Sequence, residues 1–307
     1  MTIALAATVA VAATAVVSGF GMVGSSAEER DANGRLDVVA SFYPLEYLAK
    51  TIGGSHVQVT DLTAPGVEPH DLELSPKQVA AVGEADLVLQ LKGFQPAVDA
   101  AVKQAAPAHV TDAAALSPLV EHSGTGEDGH DHGGADAPDP HIWLDPSRYA
   151  AVAEGVGARL ATADPAHAAA YRANTEALTA KLKALDADFR TGLKNCAGKD
   201  FLTSHAAFGY LADAYGLHQI SVSGIDPEAE PSAARLAEVK REAREHGVST
   251  VFTETLASPK LAETLAKELG LKTAVLDPLE GVGNGHDYFS VMHANLRALQ
   301  DALGCTA

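Results

Sequence analysis

Residues 36–54, LDVVASFYPLEYLAKTIGG, decide the fold. The first seven read as a strand, and the rest as a helix that stops at the paired glycines Gly53 and Gly54. The same alternation continues outward. HVQVTDLTA (56–64) reads as a second strand, PKQVAAVGEA (76–85) as a short helix, ADLVLQLKG (85–93) as a buried strand and FQPAVDAAVKQA (94–105) as another helix. Strands that alternate with helices in this way build a parallel sheet covered by helices. The second half repeats the pattern through DFLTSH (200–205), QISVSG (219–224), STVFTET (249–255) and KTAVLDPLEG (272–281), and YFSVMHANLRALQDALG (288–304) closes the chain as a helix. The predicted fold is α/β with two lobes, each a small parallel sheet covered by helices.

At 307 residues the chain is too long for one small core and suits two lobes of ordinary domain size. Between the two alternating halves, YAAVAEGVGARLATAD (149–164) has helical patterning. A second helical stretch follows, with Leu178, Leu182, Leu185, Phe189 and Leu193 on one face. It spans roughly 40 Å and is expected to act as a rigid connector. The expected organisation is a signal-like segment at 1–30, an N-terminal lobe at 36–160, a linker helix at 166–195 and a C-terminal lobe at 196–307. No sequence repeat relates the two halves clearly.

Apolar residues make up 47% of the chain and charged ones 20%, which predicts a folded globular protein rather than a disordered one. The formal charge of −18 repels nucleic acid and anionic lipid and favours cations near the surface. Residues 4–22, ALAATVAVAATAVVSGFGM, followed by GSSAEERDANG, resemble the apolar core and cleavage zone of a secretory signal, or an anchor if uncleaved. Export is the expectation, to the periplasm or the cell surface. In that setting Cys196 and Cys305, which have no C-x-x-C spacing, are expected to form a disulfide tying the C-terminal tail to the start of the second lobe.

Three histidines sit where the predicted strands end and loops begin: His70 in VEPHDLE, His141 in DPHIWLDP and His205 in LTSHAAFGYLA. In open α/β sheets ligands gather beyond the strand ends, so a ligand shared by these three would lie between the lobes. Between Glu121 and Pro140 the chain reads EHSGTGEDGHDHGGADAPDP, a polar loop without hydrophobic period. Its His122, His130 and His132, with Asp128 and Asp131, are candidates for an accessory, metal-collecting role that the main site does not need. His56, His109, His167, His218, His246, His286 and His293 have no comparable context and are assigned no function.

PGVEPHDLELSPKQ, the His/Asp-rich loop before DPHIWLDP, LTSHAAFGYLADAYGL, GIDPEAEPSAARLAEV and VLDPLEG occur in that order from about Leu36 to the C-terminus. Together they resemble the zinc-binding solute-binding proteins of bacterial metal ABC importers, the cluster that binds zinc or manganese. The resemblance implies two histidine ligands from the N-terminal lobe, a third ligand from the C-terminal lobe and a long helix between them. These carry over to His70, His141 and His205. A carboxylate at the third position tends to mark manganese binders, so His205 implies Zn(II), which imidazole serves well.

The same resemblance offers Glu280 of VLDPLEG as a fourth ligand, with Asp277 and water as alternatives. Glu68, two residues before His70, could replace it or orient an imidazole. Trp143 is expected to pack beside the site and help fix its loop. The implied function is extracytoplasmic zinc capture by a monomer that delivers the ion to an ABC permease, without catalysis. Manganese binding within the same family, or zinc-dependent hydrolysis, is the alternative. The chain lacks the H-E-x-x-H motif of one large class of zinc hydrolases.

Overall fold

The computed structural model describes residues 34–122, 138–283 and 285–306. The signal-like segment at 1–30 and the loop residues Asp128, His130, Asp131 and His132 lie outside the described residues. The first half runs β1 (Leu36–Ala40), α1 (Tyr43–Gly53), β2 (Val57–Asp61), α2 (Pro76–Glu84), β3 (Leu87–Gln90), α3 (Pro96–Ala105), β4 (Val110–Asp112) and α4 (Ala113–Leu116). Two longer helices follow, α5 (Pro146–Ala163) and α6 (Ala168–Gly192). The second half runs β5 (Asp200–Thr203), α7 (Gly209–Tyr215), β6 (His218–Ser221), α8 (Ala233–Glu245), β7 (Thr250–Thr253), α9 (Lys260–Leu269), β8 (Lys272–Val275) and α10 (Tyr288–Leu303).

The opening segment forms as its pattern predicts. Four of the five residues of β1 are buried, as expected for a central strand covered on both faces. Pro44 fits the first turn of α1, where a missing N–H costs nothing, and Leu45, Leu48, Ala49 and Ile52 bury one face. Gly54 then takes φ 57°, which a residue with a Cβ adopts only at a cost, and ends the helix. Sequence patterning missed one strand in the first half. β4 is only three residues long, too short for any alternation to register.

Each half carries one parallel four-stranded sheet, and the two orders correspond: β2-β1-β3-β4 and β6-β5-β7-β8. The chain leaves the first strand of each sheet to one side and later returns on the other. This creates a switch point between β1 and β3 and another between β5 and β7, each opening a crevice at the carboxyl ends of the strands.

In chain order α6 stands between the sheets. Its 25 residues make a rod of about 37 Å. Leu178, Leu182, Leu185 and Phe189 on its inner face are all buried, as is Leu193 just beyond it. This face packs on α1, α5 and α10, so one continuous apolar core draws residues from both halves. Polar ties cross between the halves as well. Trp143 Nε1 donates to the Pro278 carbonyl at 2.7 Å, and Tyr288 Oη donates to the Trp143 carbonyl at 2.7 Å. Tyr210 Oη donates to the Asp139 carbonyl and accepts from Val120 N–H, both at 2.8 Å.

Cys196 and Cys305 are joined by a disulfide across a sequence separation of 109. Around it Gly198 N–H donates to the Leu303 carbonyl and Thr306 N–H to the Asn195 carbonyl, both at 3.0 Å, so the tail after α10 is laced to the segment before β5. A cross-link closing so long a loop restricts the unfolded chain strongly. Replacing both cysteines with Ser should therefore lower unfolding free energy by about 2–5 kcal/mol. Denaturant unfolding of the metal-free protein reads this directly, and an unchanged midpoint would contradict it.

Candidate metal centre

Four side chains converge between the two sheets: His70, His141, His205 and Glu280. His70 comes from the loop between β2 and α2, and His141 from the turn leading into α5. His205 lies two residues past the end of β5, at the switch point of the second sheet, and Glu280 follows β8. The loop positions that the residue pattern singled out are therefore brought together from four separate segments.

The four donor atoms lie within 4.8 Å of one another. Glu280 Oε1 lies 3.1 Å from His70 Nε2, 3.1 Å from His141 Nε2 and 3.6 Å from His205 Nε2, while His141 Nε2 and His205 Nε2 are 3.4 Å apart. Four ligands at the usual zinc–nitrogen and zinc–oxygen distances form a tetrahedron with edges of about 3.3 Å. The four separations of 3.1–3.6 Å bracket that edge length.

Each buried imidazole is oriented from behind. His141 Nδ1 lies 2.7 Å from Asp139 Oδ1, and His205 Nδ1 lies 2.7 Å from Glu254 Oε2. Both carboxylates also accept the backbone N–H of the histidine they orient, at 2.9 and 3.1 Å. A carboxylate on Nδ1 selects the tautomer that turns the Nε2 lone pair toward the centre and raises ligand basicity. The His205 loop has a further brace, since Thr203 Oγ1 and Gln219 Nε2 both donate to the His205 carbonyl, at 2.7 and 2.9 Å.

Glu280 depends on an unusual turn. Leu279 is held at φ 59°, a left-handed conformation that costs a non-glycine residue roughly 1–2 kcal/mol. The turn persists because Asp277 Oδ1 accepts Leu279 N–H at 2.8 Å and the Leu279 side chain is wholly buried. Buried Asn295 on α10 exchanges two hydrogen bonds with the Asp277 backbone, at 2.9 and 2.7 Å. Asp277 is thereby occupied as a turn residue, its other oxygen accepting from Thr255 Oγ1 at 2.9 Å. Glu68 also acts through the backbone: its Oε2 accepts the His70 N–H at 3.0 Å and the Asp71 N–H at 3.3 Å, capping the loop that presents His70.

The surroundings are dry. His141, His205 and Glu280 are at most 2% exposed, and the His70 side chain is 9% exposed. Phe94 meets the His70 ring edge-on at 4.6 Å, and Trp143 stands 5.1 Å from the His141 ring while holding the Pro278 carbonyl. Trp143 therefore clamps the Glu280 loop as well as its own.

Burial alone would push the Glu280 carboxyl up, yet the three imidazoles overcome it and hold that carboxyl well below its ordinary range. Burial likewise opposes a charged His205, but Glu254 and Glu280 outweigh it and raise the imidazolium to about 10. His141 is raised in the same sense, against burial, by Asp139 and Glu280. Asp139, Glu254 and Glu280 together make a desolvated pocket of negative charge that demands a cation at its centre.

Several residues of this site had no signal in the sequence reading. Asp139 stands two positions before His141, a spacing that could have marked it. Glu254 is the acid just past β7 and emerges only when β7 is set beside β5. His122 differs from the loop role expected of it. Its Nδ1 lies 2.7 Å from Asp139 Oδ2 and its Nε2 lies 3.1 Å from Asp213 Oδ2, so it continues the line behind His141. Gly209 permits this approach, because a Cβ there would lie 2.5 Å from the His122 ring and 2.8 Å from Asp139 Oδ2.

A family model described as ZnuA, the periplasmic component A of zinc-uptake complexes, matches residues 38–302. The high-affinity zinc uptake system protein ZnuA of Bacillus subtilis is 37% identical over 281 residues, covering 88% of each chain. The zinc-binding protein AdcA of Streptococcus pyogenes serotype M3 is 37% identical over 293 residues, covering 88% of this chain. The present chain spans only 56% of the length of that relative. Among solved structures, the Zn(II)-bound ZnuA-like domain of Streptococcus pneumoniae AdcA superposes with a TM-score of 0.73 at 34% identity, covering 88% of this chain and 99% of that one. With the match running through both sheets and all four converging side chains, the chain belongs to the ZnuA family of zinc-uptake components.

Proposed function

We propose that this protein captures Zn(II) outside the cytoplasm, through His70, His141, His205 and Glu280, and delivers it as a monomer to an ABC permease. The observation that carries the reading is the cage itself: three imidazole nitrogens and one carboxylate oxygen, all within 4.8 Å of one another in a largely buried pocket. Zinc accepts four nitrogen and oxygen donors at this spacing, whereas manganese favours more ligands and more oxygens.

The same closure argues against a hydrolase. Catalytic zinc needs an open position for water, and Glu280 occupies the corner where that water would sit. The family and its relatives' names support transport, and on this reading lobes at 36–160 and 196–307, joined by a helix at 166–195, each contribute two of the four ligands. Among the described residues no helix is long and apolar enough to cross a membrane.

Release to the permease follows from the same parts. Two ligands are carried by the first half and two by the second, so any movement that parts the sheets splits the cage. The shared core and the cross-ties of Trp143, Tyr288 and Tyr210 resist a wide hinge motion. Small shifts of the ligand loops are therefore the expected route of exchange.

Calorimetric titration tests the ligand set. One tightly held zinc is expected, and His205→Ala should weaken it by about 100-fold or more, whereas deletion of residues 123–137, which spares His122, should change it little. Equal losses in the two variants would contradict the assignment. The titration of His205 sets the pH dependence. Its proton, favoured up to about 10 without metal, must leave when zinc binds, so affinity should rise with pH through neutrality. The expected slope is about tenfold or more per unit over roughly pH 6 to 8. A flat profile there would contradict imidazole ligation.

A further inference from the structure

A second convergence of metal-binding side chains lies at the opposite end of the C-terminal sheet. Asp200 opens β5, His218 opens β6 directly beside it in register, and His246 caps the C-terminus of α8. Sequence context gave none of these a role. In the fold, His218 Nδ1 lies 2.8 Å and His246 Nδ1 2.9 Å from the same oxygen, Asp200 Oδ1. The two rings are inclined at 35° with centroids 5.7 Å apart.

We infer that Asp200, His218 and His246 form a second, solvent-facing zinc site. Three donor atoms lie within 4.8 Å of one another and come from three different elements. Both imidazoles present Nδ1 to a single carboxylate oxygen, as His70, His141 and His205 present Nε2 to Glu280 Oε1. The present separations are hydrogen-bond lengths. An ion between these atoms requires edges of about 3.3 Å, an opening of about half an ångström that exposed rings can make. The tautomer that carries its proton on Nε2 leaves Nδ1 able to bind the ion.

The position favours a cation. His246 sits where the carbonyl end of the 13-residue α8 concentrates negative potential. The whole chain carries a formal charge of −18. With His218 62% and His246 41% exposed, water completes the coordination shell and exchange is fast. This site is weaker than the buried one for the same reason: its donors are solvated before the ion arrives. β5 connects the two, carrying Asp200 at its start and leading to His205 beyond its end, a span of roughly 16 Å. They are close enough to share a lobe and too far apart to share a ligand.

The test is a difference measurement on the full chain titrated with zinc alone. His218→Ala combined with His246→Ala is expected to remove one weak equivalent and leave the tight equivalent unchanged. Any zinc taken up by residues 123–137 is common to both proteins and cancels. Melting of the metal-free variant checks its fold, and Asp200→Asn serves with the same readout if the double variant is damaged. An unchanged total stoichiometry would overturn the assignment, as would a loss confined to the tight equivalent.

Discussion

The structure depends on one buried carboxylate oxygen, Glu280 Oε1, faced by imidazole nitrogens from both halves of the chain. Burying a carboxylate among apolar groups is unfavourable unless positive charge meets it. Here three histidines do so, and two of them are backed by carboxylates of their own. The assembly remains short of positive charge until a proton or a divalent ion completes it. A site built in this way is selective for cations before any question of ionic size arises.

Everything around the oxygen serves to keep it there. The left-handed Leu279 stores local strain, and that strain is tolerated because Asp277, Asn295 and the Trp143 indole bind the turn on every side. His205 and Glu254 meet because β5 and β7 flank the switch point of the second sheet, so sheet topology itself supplies the carboxylate behind the imidazole. His141 obtains the same support locally from Asp139, with His122 and Asp213 extending the line to the surface. The two buried imidazoles thus receive identical chemistry by different routes, one long-range and one short-range.

The sequence made the alternation of strands and helices legible because each element is long enough to carry a period, and the apolar face of α6 could be read residue by residue. β4 could not, since three residues show no period. His70, His141, His205 and Glu280 were legible through their flanking motifs. The carboxylates that orient them were less so: Glu254 is an ordinary strand-end acid until the sheet sets it beside His205. The resemblance favoured Glu280 over Asp277 in VLDPLEG, and the turn at Leu279 gives the physical reason, turning one to the imidazoles and binding the other to Thr255. Likewise His218 and His246 lie in unrelated segments, and only the register of β5 with β6 and the end of α8 bring them to one aspartate.

On the proposed function, a closed cage of three imidazoles and one carboxylate holds the ion. X-ray absorption at the zinc edge of the protein loaded with a single equivalent tests it most directly. The expected result is four-coordinate zinc with three nitrogen donors of imidazole type and one oxygen, at about 2.0–2.2 Å, and a Glu280→Gln variant in which the oxygen shell changes while the imidazole signal remains. Five or six ligands, or an oxygen shell indifferent to that substitution, would contradict it.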